Sequence, residues 1–316
     1  MAIGSGIKDN MQARVGTAVL KLPTGALRKM AGDPVVIDGR TLDVRLQLAA
    51  AQSADSPPIS SLDPMTARAG AAAAFAQSNA PRVAGVSTHD LMIDHAGLTV
   101  RIYRPASTNG LRPGVLFMHQ GGFVIGDLDT CDTFCSKMAD RLGAVVVSLD
   151  YRLAPEFAYP TPLDDCRRGF EWFVDAAEGL DVDPTRIALG GGSAGGGLAA
   201  GLALRLRDTD AHQPCFQLLR YPMIDDRPGT SPNHGITDTR VWNRAANEAG
   251  WSAYLDGRNG SDDVEVYAAP ARATDLTGLP PAIVTVGEYD MFLHEDIAYA
   301  QAMLAAGVTG ELHTYA

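Results

Sequence analysis

Short, nearly continuous apolar runs recur along the second half of the chain at Val115–His119, Ala144–Asp150, Ile187–Gly190, Phe216–Tyr221 and Ala282–Gly287. Such runs predict strands buried on both faces. Between them, apolar positions recur with helical spacing at Asp132–Leu142, Pro162–Ala177, Leu198–Arg207 and His294–Ala306, and Gly310–Tyr315 reads as a last strand. Alternation of this kind predicts a mostly parallel sheet covered by helices. Upstream, Leu91–Asp94 and Leu98–Tyr103 flank His95-Ala96-Gly97 and predict a hairpin. The first 85 residues have a different texture, helical and poor in β-branched runs, with breaks at Asp33-Pro34 and Ser56-Pro57-Pro58. There, Ser61-Leu62-Asp63-Pro64 reads as the start of a helix running through Ala67–Gln77.

This texture divides the chain into an N-terminal helical cap region, residues 1–85, and an α/β core, residues 86–316. The interval from Pro222 to Pro280 is longer than one crossover needs, which predicts an insertion over about residues 225–262 that joins the cap. Trp242, Trp251 and Tyr254 fall in or beside its helical stretch, either lining an acyl pocket or packing the insert onto the core.

The stretch with most chemistry is Arg186–Gly197, an apolar strand followed by Gly191-Gly192-Ser193-Ala194-Gly195 and an Ala/Leu-rich helix. A serine on so tight a strand-to-helix turn is forced outward at the carboxyl end of a sheet. Its hydroxyl then stands beside the first amides of a helix, where an oxyanion is stabilised. The sequence His119-Gln120-Gly121-Gly122-Phe123 follows another strand directly, and adjacent glycines let main-chain amides approach a ligand. The amides of Gly121, Gly122 and Ala194 are therefore the expected oxyanion hole, with Ser193 the nucleophile. Gly287-Glu288-Tyr289-Asp290 ends a further strand, where the Asp290 carboxylate can orient an imidazole. The alternative readings are a helix N-cap for Ser193 and a cap of the following helix for Asp290. Asp164, Asp165, Asp225 and Asp226 read as solvated or capping carboxylates, and Arg152 and Glu156 as partners in an internal ion pair.

Composition narrows the field. The net charge of −11, with no basic patch, argues against nucleic acid or an anionic membrane surface as partner. No apolar stretch reaches the length of a membrane span, and a cytoplasmic location is the default expectation. Cys131, Cys135, Cys166 and Cys215 lack metal-ligand pairing and read as ordinary thiols, so no metal is expected.

Taken together, His119–Phe123, Asp150-Tyr151-Arg152-Leu153-Ala154-Pro155-Glu156, the turn at Ser193, Tyr221-Pro222 and Asp290 resemble the hormone-sensitive-lipase-like branch of the α/β-hydrolases, bacterial carboxylesterases with an HGGG-type motif. The resemblance implies an α/β-hydrolase fold: an eight-stranded, mostly parallel sheet with helices on both faces and a helical cap. It implies cofactor-free hydrolysis of short-chain acyl esters by a serine carboxylesterase, with Ser193 and Asp290 as catalytic residues. Three departures stand out. Gln120 replaces a usual glycine, and Gly192 a usual Asp or Thr. The family's histidine base lies a few residues past the last strand, a place that falls beyond Ala316 here, so the expectation is a chain truncated before that residue and impaired in turnover.

Two other function classes compete. A hydrolase fold without its base can serve as a non-catalytic small-molecule receptor. Gly190–Gly195 also satisfies Gly-x-Gly-x-x-Gly, the signature of a dinucleotide-binding oxidoreductase, but Asp208 and Asp210 precede the next strand where a ribose-binding acid should end it. The expected partner is a small-molecule ester, with a homodimer through the last strand as a further possibility.

Overall fold

A computed structural model describes residues 22–37, 40–52, 63–78, 83–106, 110–209, 211–229 and 242–315. The readings at Ser56–Pro58, Ser61-Leu62 and Asp210 and in the middle of the insertion lie outside those residues.

The N-terminal region folds as helices α1 (Thr24–Ala31), α2 (Val44–Gln52) and α3 (Pro64–Ser78), with a two-residue antiparallel pair, β1 (Val36–Ile37) and β2 (Arg40–Thr41), between the first two. Then come β3 (Val86–Met92), β4 (Thr99–Pro105), β5 (Arg112–Met118), α4 (Asp132–Leu142), β6 (Val145–Asp150), α5 (Thr161–Asp175), β7 (Val182–Gly192) and α6 (Ala194–Asp208). The chain continues through β8 (Gln217–Arg220), α7 (Arg244–Tyr254), β9 (Ala282–Gly287), α8 (Leu293–Ala305) and β10 (Gly310–Tyr315). The expected hairpin is β3–β4, whose first strand begins earlier than its apolar residues announce, because the β3 side chains are mostly exposed.

Strands β3–β10 form one eight-stranded sheet in the order β10-β9-β8-β7-β5-β6-β4-β3. β3, β4 and β6 are joined by antiparallel pairings and all other neighbours by parallel ones. From β5 the chain steps to β6 on one side and returns to β7 on the other. The carboxyl ends of β5 and β7 therefore flank a topological switch point, the place where open α/β sheets bind ligands.

The central helix α6 is buried along nearly its whole length. Its small residues make that possible: a Cβ at Gly197 would lie 2.1 Å from the carbonyl oxygen of Met223, and one at Gly201 the same distance from that of Tyr267. Glycine costs a helix about 1 kcal/mol per residue against alanine. Close packing of backbone on backbone offsets it here. On α4 the buried Cys135, Met138 and Ala139 face the sheet, while Leu142 is exposed at the end before the left-handed cap Gly143.

Four polar assignments made from sequence change in the fold. Asp165 is fully buried and held by Arg152 and Arg168, and Arg152 takes Asp165 as partner in place of Glu156. Glu156 instead meets Arg68 of α3 at 2.6 Å. Asp226 is also buried, against Arg272 at 2.6 Å, and Asp225 pairs with Arg227. Buried carboxylates require such partners, and for Asp226 the partner, Arg272, lies far along the chain.

Candidate active site

The turn after β7 gives Ser193 an unusual backbone, φ 52° and ψ −120°. Few residues with a Cβ adopt it. The serine makes no side-chain cap hydrogen bond to α6, so the N-cap reading fails. The backbone is fixed on both sides instead. Ser193 N–H donates to the Arg220 carbonyl at 2.9 Å, and its carbonyl accepts from Gly197 and Met223 at 2.9 and 3.0 Å. The flanking glycines are obligatory, because a Cβ at Gly191 would lie 2.1 Å from the Gly195 carbonyl oxygen and one at Gly195 2.2 Å from that of Met118. Ser193 itself is only half-buried.

β5 pairs with β7 at Met118↔Gly191, so the loop leaving β5 starts beside this turn. Gly121 has φ 141°, Gly122 55° and even Phe123 67°. The Gly121 carbonyl accepts from Val124 and Ile125, both at 3.0 Å, closing the loop on itself. The N–H groups of Gly121, Gly122 and Ala194 donate to no acceptor among the described residues. Main-chain amides of this kind, on a loop that starts beside the serine turn, can hold a tetrahedral oxyanion.

His119 anchors that loop. Its ring is fully buried, stacked on Tyr151 at 4.2 Å, and its Nδ1 lies 2.9 Å from the Gln120 carbonyl oxygen. Burial pushes its pKa down to about 4, so the imidazole is neutral at ordinary pH. The Tyr151 hydroxyl donates to the His119 carbonyl at 2.8 Å. From α3, Arg68 donates to the carbonyls of Val124 and Ala154, each at 2.8 Å, tying the loop to the N-terminal helices. No sequence signal marked Arg68, since its partners lie far along the chain.

Asp290 follows β9, two strands from β7, on the same edge of the sheet. One carboxylate oxygen accepts from the Phe292 N–H at 3.0 Å, so the residue does cap the chain leading into α8. Burial nevertheless pushes its pKa up to about 6. Tyr221, at the end of β8 between the two, carries a phenol raised chiefly by burial and slightly by the Asp290 charge, which places these groups within electrostatic reach. No described histidine hydrogen-bonds to Ser193. His212 engages the Pro184 carbonyl and His313 the Glu311 carboxylate, while His89, His95 and His294 are exposed.

The aromatic residues of the insertion divide their roles. Trp251 and Tyr254 are buried against the Phe123 ring, with Tyr254 stacked on it at 4.0 Å. These two pack the core. Trp242, half-buried, sits over the loop glycines: a Cβ at Gly122 would lie 2.1 Å from its ring. Among the described residues no cluster of metal-ligating side chains is present, and no helix is long and apolar enough to cross a membrane.

Comparisons with known proteins identify the family. The relatives include "Esterase LipI" of Mycobacterium tuberculosis, 38% identical over 231 residues that make up 71% of each chain. "Carboxylic ester hydrolase LipN" of the same organism is 34% identical over 317 residues, covering 94% of this chain and 82% of that one. Among solved structures, "Bacterial Heroin Esterase" superposes with a TM-score of 0.78 at 40% identity, covering 84% of this chain and 87% of the other. A family model described as "alpha/beta hydrolase fold" matches residues 115–316, and the chain belongs to that family.

Proposed function

We propose that the protein is a carboxylic ester hydrolase for short acyl esters and works through an acyl-enzyme on Ser193. The observation that carries this reading is the serine on a strained turn, free of any capping bond, beside a loop whose Gly121 and Gly122 amides, like that of Ala194, donate to no acceptor among the described residues. In the reaction, the Ser193 oxygen bonds to the ester carbonyl carbon and the amides of Gly121, Gly122 and Ala194 hold the resulting oxyanion. Collapse breaks the bond to the leaving alkoxide, which takes up the proton removed from Ser193, and water then releases the acid. Asp290 is assigned to orient and balance the imidazole that carries that proton. No described histidine hydrogen-bonds to Ser193, so the test below supplies imidazole from solution to take that proton. The N-terminal helices and the insertion act as a cap, with Trp242 as a wall beside the hole. The names of the relatives, esterases and an ester hydrolase, support this reading.

Hydrolysis of p-nitrophenyl butyrate, with Ser193→Ala as control and imidazole added in increments, tests it. Ser193-dependent release that added imidazole accelerates, above its own background, is the expected result. Release indifferent to Ser193→Ala would overturn the mechanism. Tight ester binding without release would favour a receptor.

A further inference from the structure

Two departures noted in the sequence, Gln120 and Gly192, meet in the fold. Gly192 precedes Ser193, and its backbone is not in the left-handed region, so its conformation does not require glycine. What a side chain would meet there is other side chains: a Cβ would lie 3.2 Å from Gln120 Oε1 and 3.4 Å from the Tyr221 hydroxyl. This differs in kind from Gly191, where the obstacle is the backbone of α6. The Gln120 oxygen is itself held, since it accepts from the Cys131 thiol at 3.1 Å. Cys131 is buried at the start of α4, and burial pushes its thiol up to about 11, so it remains a donor at neutral pH. The amide of Gln120 therefore joins the start of α4 to the residue before the serine. Its own backbone leads directly into Gly121.

We propose that Gln120 is a positioning residue that substitutes, from the loop side, for the side chain missing at position 192, and thereby fixes the serine turn against the amides of the hole. The proposal rests on the esterase reading for its catalytic consequence, though the contact itself does not. If it holds, alanine at 192 is harmful while Gln120 occupies the space and beneficial once that space is vacated. Sign reversal of this kind marks two residues that share one volume.

The experiment is a double-mutant cycle of Gly192→Ala, Gln120→Ala and the pair, read by thermal midpoint and by steady-state hydrolysis of p-nitrophenyl butyrate. Gly192→Ala is expected to lower the midpoint in the wild-type background and raise it in the Gln120→Ala background. In parallel, each single variant loses about fivefold in kcat with KM within about twofold, and the pair recovers most of that loss, a coupling within the range for residues in contact. Effects of Gly192→Ala that are equal in both backgrounds, by midpoint or by kcat, overturn the proposal. If no form shows Ser193-dependent turnover, the esterase reading fails by itself, and the midpoints still decide whether the two positions are coupled.

Discussion

The backbone of Ser193 gives a stability prediction independent of any substrate. At φ 52° and ψ −120° a Cβ is strained, and such conformations cost about 1–3 kcal/mol. Alanine at 193 keeps the Cβ and so keeps the strain, whereas glycine removes it. Both variants lack the hydroxyl, which makes no capping bond whose loss would obscure the comparison. Glycine also loosens the unfolded chain, at a penalty of about 0.5–1 kcal/mol. The net expectation is that Ser193→Gly is more stable than Ser193→Ala by about 0.5–2 kcal/mol. For a chain of 316 residues the unfolding entropy is about 0.7 kcal/mol per degree, so the midpoint should differ by about 1–3 °C. Differential scanning calorimetry of the two variants resolves that difference. An alanine variant as stable as the glycine variant would refute the idea that the fold holds this serine under strain.

Two further predictions follow from close approach and from charge. Gly195→Ala places a Cβ 2.2 Å from the Met118 carbonyl oxygen and should cost about 3 kcal/mol, a fall of about 4 °C, whereas Gly25→Ala, with nothing within 4 Å, should not lower the midpoint. Burial pushes the Asp290 carboxyl up to about 6, so part of the rise of Ser193-dependent hydrolysis with pH should come from its ionisation and be missing in Asp290→Asn, leaving only the imidazole's own titration. Because the folded pKa is raised, this group favours folding below its ordinary range near 3.8 and loses that contribution as pH rises through about 6. Asp290→Asn should therefore gain midpoint relative to the parent between pH 4.5 and pH 7, and a relative loss over that interval would contradict burial as the cause.

The link between α3 and the loop joins the N-terminal helices to the sheet's carboxyl edge. One guanidinium, Arg68, spans two loop carbonyls and the Glu156 carboxylate. A charged group that satisfies two carbonyls and a carboxylate at once holds its partners in a fixed arrangement. The buried, neutral His119 does the same from beneath, through its ring stack and the Gln120 carbonyl. The loop that carries Gly121 and Gly122 is thus held from two sides.

Sequence alone determined the order and type of the elements from Val115 onward, because strands buried on both faces and amphipathic helices have distinct apolar periods. It also placed Ser193, Asp290 and the loop of Gly121 and Gly122 at strand ends, since tight turns demand glycine locally and such demands are written where they act. Only the tertiary structure decided what touches what across the chain: Arg68 on the loop, Arg152 on Asp165 in place of Glu156, Trp242 over Gly122, and Gln120 against Gly192. Those contacts join residues far apart in sequence. No local pattern encodes them, because a side chain's partner across the fold depends on strand order and loop path, which periodicity leaves open.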